Sequence, residues 1–189
     1  MAINNTTKMA NRFGLDIKLY KYSEDGTIGE PATPLATIDF ANECSLELTS
    51  EITWATGGQA HKNMIGFKDP TEGTFKLSTQ ITNGDIMKLA AGNSLEDAES
   101  KTKAKATYSN DAKASGLIYY IIKASTVFQG EDGVAYDEEI TLYKASVKPG
   151  CSITYSGEGD PQSVDIEFEL AANKSGKVAD IERKDQAGG

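Results

Sequence analysis

Glu43-Cys44-Ser45-Leu46-Glu47-Leu48-Thr49-Ser50-Glu51-Ile52-Thr53 and, further along, Gly73-Thr74-Phe75-Lys76-Leu77-Ser78-Thr79-Gln80-Ile81-Thr82 decide how this chain is read. In the first stretch Cys44, Leu46, Leu48, Ser50 and Ile52 fall on one side of an extended backbone and Glu43, Ser45, Glu47, Thr49 and Glu51 on the other. In the second, Phe75, Leu77, Thr79 and Ile81 alternate with Thr74, Lys76, Ser78 and Gln80. Successive side chains of a strand point to opposite faces, so period two with one polar side predicts half-buried antiparallel strands. Between them runs Trp54 to Glu72, without periodicity and with glycines at Gly57, Gly58 and Gly66. A compact domain seldom keeps a structureless connection longer than about 12 to 15 residues unless it has a task. The segment is therefore expected to be a long loop that serves as a surface for partners.

The same period extends in both directions. Phe13, Leu15, Ile17 and Leu19 alternate before a turn at Ser23-Glu24-Asp25-Gly26, and Ala36, Ile38 and Phe40 resume after Pro31 and Pro34. After Thr82 the period changes: Asn83-Gly84-Asp85, then Ile86, Leu89 and Ala90, then Gly92 predict a short helix over about 85–91, with a polar cap at Asn83 or Asp85 and a terminal glycine. Strands are expected again at Ala104–Ser109, Leu117–Gln129, Val134–Val147 (broken by Asp137 to Glu139), Cys151–Tyr155 and Val164–Ala171, where Asp165, Glu167 and Glu169 face away from Val164, Ile166, Phe168 and Leu170. Many short strands with turn-rich spacing and one helix predict a mainly β protein, an antiparallel β-sandwich or open barrel. The expected organisation is a flexible N-terminal arm over 1–12, a single domain over 13–172 and a mobile tail over 173–189.

With 189 residues the chain is long enough for a real core. Its formal net charge of -9 argues against a nucleic-acid groove, which needs a basic face. The polar start, Met1 to Arg12, has no apolar core of a secretory signal, and no run approaches the roughly 18 to 20 apolar residues of a membrane span. Cys44 and Cys151 lack a paired metal-binding spacing and are read as reduced thiols.

Catalytic chemistry finds little material. Any triad would have to use His61, the single histidine, which lies among glycines rather than beside a nucleophile motif. Zinc would need Cys44, Cys151 and His61 to converge, and Glu131-Asp132-Gly133 with Asp137 to Glu139 lacks the spaced acidic pattern of a calcium loop. No catalytic, cofactor or metal residues are therefore assigned, and an enzyme is not expected. Trp54 suits either an interface anchor, a sugar-stacking platform or a cap on the local core.

Glu51-Ile52-Thr53-Trp54-Ala55-Thr56-Gly57-Gly58-Gln59-Ala60, then Gly66-Phe67-Lys68-Asp69-Pro70-Thr71-Glu72-Gly73-Thr74-Phe75-Lys76-Leu77-Ser78-Thr79-Gln80 and the helix after it, resemble the phage major tail protein family, the tail tube subunits, related in fold to type VI secretion and pyocin tube proteins. The resemblance implies a small β-sandwich with one flanking helix, six copies of which close into a ring. Each copy would lend strands to a common inner barrel, and the rings would stack into a conduit for DNA. On that basis Trp54, Thr56, Gly57, Gly58, Gln59, His61, Lys62, Met64, Phe67, Lys68 and Asp69 become candidate contacts to a neighbouring subunit or ring. Glu47, Glu51, Asp165, Glu167 and Glu169 become candidate lumen residues, since like charge would let DNA slide without adsorbing. The implied partners are other copies of the chain and further tail proteins such as tape measure and terminator proteins, with DNA passing without specific binding and no membrane contact. The implied location is the virion tail, assembled in the cytoplasm of a host bacterium. The alternative is a β-sandwich receptor- or carbohydrate-binding module in which Trp54 and the loop touch a ligand.

Overall fold

A computed structural model of the chain describes residues 9–11, 14–28, 33–57, 62–80, 84–92, 94–95, 117–131, 133–148, 152–154 and 163–185. In chain order the elements are β1 (Met9–Asn11), β2 (Leu15–Lys21), β3 (Ala36–Thr49), β4 (Ile52–Gly57), β5 (Lys62–Lys68), β6 (Glu72–Thr79), α1 (Gly84–Ala90), β7 (Tyr119–Gly130), β8 (Ala135–Val147), β9 (Ser152–Thr154), β10 (Ser163–Leu170) and β11 (Ala179–Asp185). The fold is mainly antiparallel β with, among the described residues, a single short helix.

Among the described residues nine strands form one sheet in the order β1-β7-β2-β3-β6-β10-β8-β11, with β9 on β10. β7 also pairs with β8, so β7, β2, β3, β6, β10 and β8 close on themselves as a barrel. Closure removes edges that a sheet of this length would otherwise expose. The barrel is filled by the apolar half of each alternating pattern: Ile17 and Leu19 from β2, Phe75 and Leu77 from β6, Ile122 and Leu142 from β7 and β8, and Val164, Ile166 and Phe168 from β10 are buried. Phe75 and Phe168 stand opposite one another in the ladder, ring centroids 6.2 Å apart. Gly73 leaves no room for a side chain beside β3: a Cβ there would lie 2.5 Å from the Glu47 carbonyl oxygen.

The expected helix forms as Gly84–Ala90 and buries Ile86, Leu89 and Ala90 in the same core, packed against β3 and β10. Gly92 ends it at φ 71° with its N–H donating to the Leu89 carbonyl. Asp85 in its first turn and Lys88 in its last complement the helix dipole.

Several expectations differ from the structure. The strands expected at Ala36–Phe40 and from Glu43 are one strand, β3, whose phase shifts at a bulge where the register jumps between Ala41 and Glu43. Its pairing with β6 stops at Thr49, short of the expected Thr53. Asp137 to Glu139 do not break β8: Glu138 turns inward and is neutralised by Arg183. The segment after Asn173, expected as a free tail, contains β11, paired with β8 from Ala179 opposite Leu142 to Asp185 opposite Tyr136. Its backbone finds partners on an edge that β10 leaves uncovered. Within the expected N-terminal arm, Met9–Asn11 pairs with β7, while residues 1–8 lie outside the described residues. The strand expected at Ala104–Ser109 also lies outside them.

The largest correction is the long loop. Ile52–Gly57 and Lys62–Lys68 form a separate two-stranded antiparallel sheet in which Trp54 stands opposite Gly66 and Thr53 opposite Phe67. It continues the β3–β6 hairpin beyond the barrel.

Candidate functional site

Two features of this architecture stand out as candidate sites: the outer face of β3, β6 and β10, and the hairpin that leaves its end. Because each of the three strands alternates, the residues not in the core form rows across the outside. Glu47, Thr74 and Glu169 make one row, Ser45, Lys76 and Glu167 the next, and Glu43, Ser78 and Asp165 the third. Neighbouring strands lie about 4.7 to 4.9 Å apart, so these carboxylates share a compact surface. Glu43, Glu47, Asp165 and Glu169 are exposed and Glu167 is half-buried.

One carboxylate of the face is neutralised. Lys148 Nζ lies 3.0 Å and Lys76 Nζ 3.8 Å from the two oxygens of Glu167, and the Lys148 N–H donates to the Glu167 carbonyl. The hydrogen bond from Lys148 holds the Glu167 carboxyl below its ordinary value, and that same bond raises the lysine. Among the described residues no cation lies within salt-bridge distance of Glu43, Glu47, Asp165 or Glu169. The face thus keeps a negative field. It is not flat: an open depression lined by Glu43, Lys76, Ser78, Ser152, Asp165 and Glu167 lies near its middle, and another, lined by Glu47, Pro70, Thr71, Leu117 and Glu169, lies toward the hairpin base.

The structure therefore brings together Glu47, Asp165, Glu167 and Glu169 of the expected acidic set. Glu51 does not join them. It lies past the end of β3, exposed, with its carbonyl accepting from the Asp69 N–H at 2.9 Å. Glu43 and Lys76 belong to the face and were not singled out. The signal for Glu43 was present, since it begins the polar alternation of its own strand, but the cross-strand register that adds Lys76 cannot be read from one strand at a time.

At the hairpin base Asp69 acts as a staple: its carboxylate accepts from Thr53 Oγ1 at 2.9 Å and its carbonyl from Ser50 Oγ at 3.1 Å. Ile52, Thr53, Gly66 and Lys68 are exposed. Gly58, Gln59 and His61 lie outside the described residues, Trp54, Thr56, Gly57, Lys62 and Phe67 are placed by backbone register alone, and Met64 falls at the register shift of β5. The hairpin's substantial packing, among the described elements, is between its own two strands.

Reactive groups are few. Cys44 is half-buried and burial pushes its thiol up to about 11, which keeps it protonated and poorly nucleophilic. Cys151 lies outside the described residues. Among the described residues no group of three His, Cys, Asp or Glu side chains could hold a metal ion, and no helix is long and apolar enough to cross a membrane.

No protein-family model matches the sequence, and no curated protein matches it. Among solved structures, the fold is shared with a chain of the cryo-EM structure of the anti-feeding prophage (AFP) baseplate, 6-fold symmetrised, at a TM-score of 0.50 and 10% identity. The likeness covers 99% of this chain and 99% of that one, so it concerns the whole architecture and not a fragment.

Proposed function

We propose that this chain is a structural subunit of a phage tail or a related injection machine, and within it a tube protein: six copies close into a ring, rings stack, and DNA passes through the channel. The observation that carries this reading is the pairing of a closed barrel with a hairpin that leaves it as a sheet of its own. An isolated two-stranded hairpin is at best marginally stable in water. Docked on a neighbouring copy it gains the buried surface it lacks alone. The whole-chain fold likeness to a component of a six-fold assembly supports a ring-forming role.

The acidic face of β3, β6 and β10 suits the channel wall. Fixed carboxylates facing a polyanion oppose adsorption over a screening length of about 8 Å at physiological salt, and the phosphate-binding term that dominates DNA affinity is then missing. The second reading, a baseplate component that forms one ring and does not stack, draws on the same fold likeness. Negative-stain microscopy of concentrated protein separates the two. Hollow tubes of stacked rings are the expected result, discrete single rings favour the baseplate reading, and a monomer at every concentration overturns both.

A further inference from the structure

We infer that β11 is a strap that detaches from the barrel as a unit while everything else stays folded, and that the Arg183–Glu138 ion pair is its latch. Three observations carry this. First, β11 contributes little to the core: Ile181 is 54% exposed, Asp180, Glu182, Arg183 and Lys184 are exposed, and among the described residues the strand is the last in the sheet, paired with β8 alone. Elements with few buried apolar contacts open at lower free energy than the global transition.

Second, the chain just before β11 is pinned. Asn173 is buried, its carboxamide oxygen accepts from the N–H groups of Ser175 and Lys177, and its own N–H donates to the Lys177 carbonyl. The Lys174 N–H donates to the Glu24 carbonyl while Lys174 Nζ pairs with the Glu24 carboxylate at 3.2 Å. Gly26, at φ 77°, fits so closely against Tyr143 and Asn173 that a Cβ would meet both under 3 Å. Val178 is buried and its carbonyl accepts from the Tyr143 N–H. This clasp between the turns at 23–27 and 173–177 sets the hinge at Val178, where burial ends and the strap begins.

Third, the strap fills a specific seat. Glu138 is buried on the same face of β8 as Ile140 and Leu142, its side chain 9% exposed, and pairs with Arg183, whose guanidinium also lies 4.5 Å from the Phe128 ring centroid. Ile181 stands opposite Ile140, Arg183 opposite Glu138 and Lys184 opposite Asp137. Opening the strap leaves a seven-residue edge of β8, Tyr136 to Leu142, without its strand, the type of edge to which a second chain can add.

Native-state hydrogen exchange of the intact chain tests this. The β11 amides bonded to β8 are expected to exchange faster than those of β2 and β10, with the clasp amide of Lys177 behaving like the barrel. Arg183→Gln and Glu138→Gln are each expected to speed the β11 amides about tenfold, the scale of a hydrogen bond to a charged group, without changing β2 or β10. Equal protection of β11 and the barrel in the unaltered protein overturns the strap. Acceleration by Arg183→Gln alone overturns Glu138 as the latch, and acceleration of all strands together shows that the pair supports the barrel and not a separate strap.

Discussion

The barrel and the β4–β5 hairpin are built from the same antiparallel ladder, and the chain passes from one to the other with a break of two residues after Thr49. In the barrel the alternating strands lay most of their apolar residues on a filled interior, Phe75 against Phe168. In the hairpin, Ile52 remains 56% exposed, and among the described residues the strands are held by their backbone ladder and by the Asp69 staple at its base. Alternation in a sequence is the imprint of a core. Backbone pairing can still extend a segment whose sequence lacks that pattern, as Ile52–Gly57 and Lys62–Lys68 do.

The contrast can be broken by experiment, beginning with the largest effect. Phe168→Ala should lower the stability of the fold by about 3 to 5 kcal/mol, the range for a large aromatic removed from a packed interior, measured by urea unfolding. Replacing residues 52–68 with a short Gly-Ser linker should change the same quantity by less than about 1 kcal/mol, because loop closure depends only weakly on length. If the two losses are comparable, the hairpin belongs to the core and the comparison fails. Gly73→Ala comes next. Its Cβ would be driven into the Glu47 carbonyl, and overpacking of this type costs about 1 to 3 kcal/mol.

The acidic face should behave oppositely to the core. Glu47→Lys with Glu169→Lys should shift stability by no more than about 0.5 kcal/mol each, as exposed substitutions do, yet assembled protein carrying both should retain DNA that the unaltered protein releases. Co-sedimentation with duplex DNA reads this, and equal retention removes the channel-wall assignment. The smallest effect is on pH. Hydrogen bonds from Lys123 and Lys148 hold Glu139 and Glu167 below their ordinary 4.5, and the Tyr143 hydroxyl, followed by Lys177, holds Asp180 below 3.8. A depressed carboxyl stabilises fully above its unfolded value and loses that contribution as pH falls through its folded value. Stability should therefore be flat around neutrality and decline gently below 4.5. The decline is shallow because these side chains are largely solvated.

The sequence was legible wherever a strand had a dry side. β6 and β10 follow their alternating residues, and the helix ends at its glycine. The acidic face was half visible: Glu47, Asp165, Glu167 and Glu169 were identifiable on their own strands, but that β6 sits between β3 and β10, bringing Lys76 beside Glu167, depends on strand order, which alternation does not encode. The hairpin was missed because neither Ile52–Gly57 nor Lys62–Lys68 carries a sustained apolar–polar alternation. β11 was missed because Asp180, Glu182, Arg183 and Lys184 make it look like a solvated tail, whereas its stability comes from the backbone ladder and from Glu138, a charge that seemed to interrupt its own strand.

The proposed function requires that the barrel be complete without the hairpin and that the hairpin serve a neighbouring copy. It is tested most directly by examining the variant with residues 52–68 replaced, with thermal unfolding and electron microscopy on one sample. A cooperative transition close to that of the unaltered chain is expected, with no rings or tubes at concentrations where the unaltered chain assembles. Normal tubes from the variant, or a variant that does not fold, would contradict it.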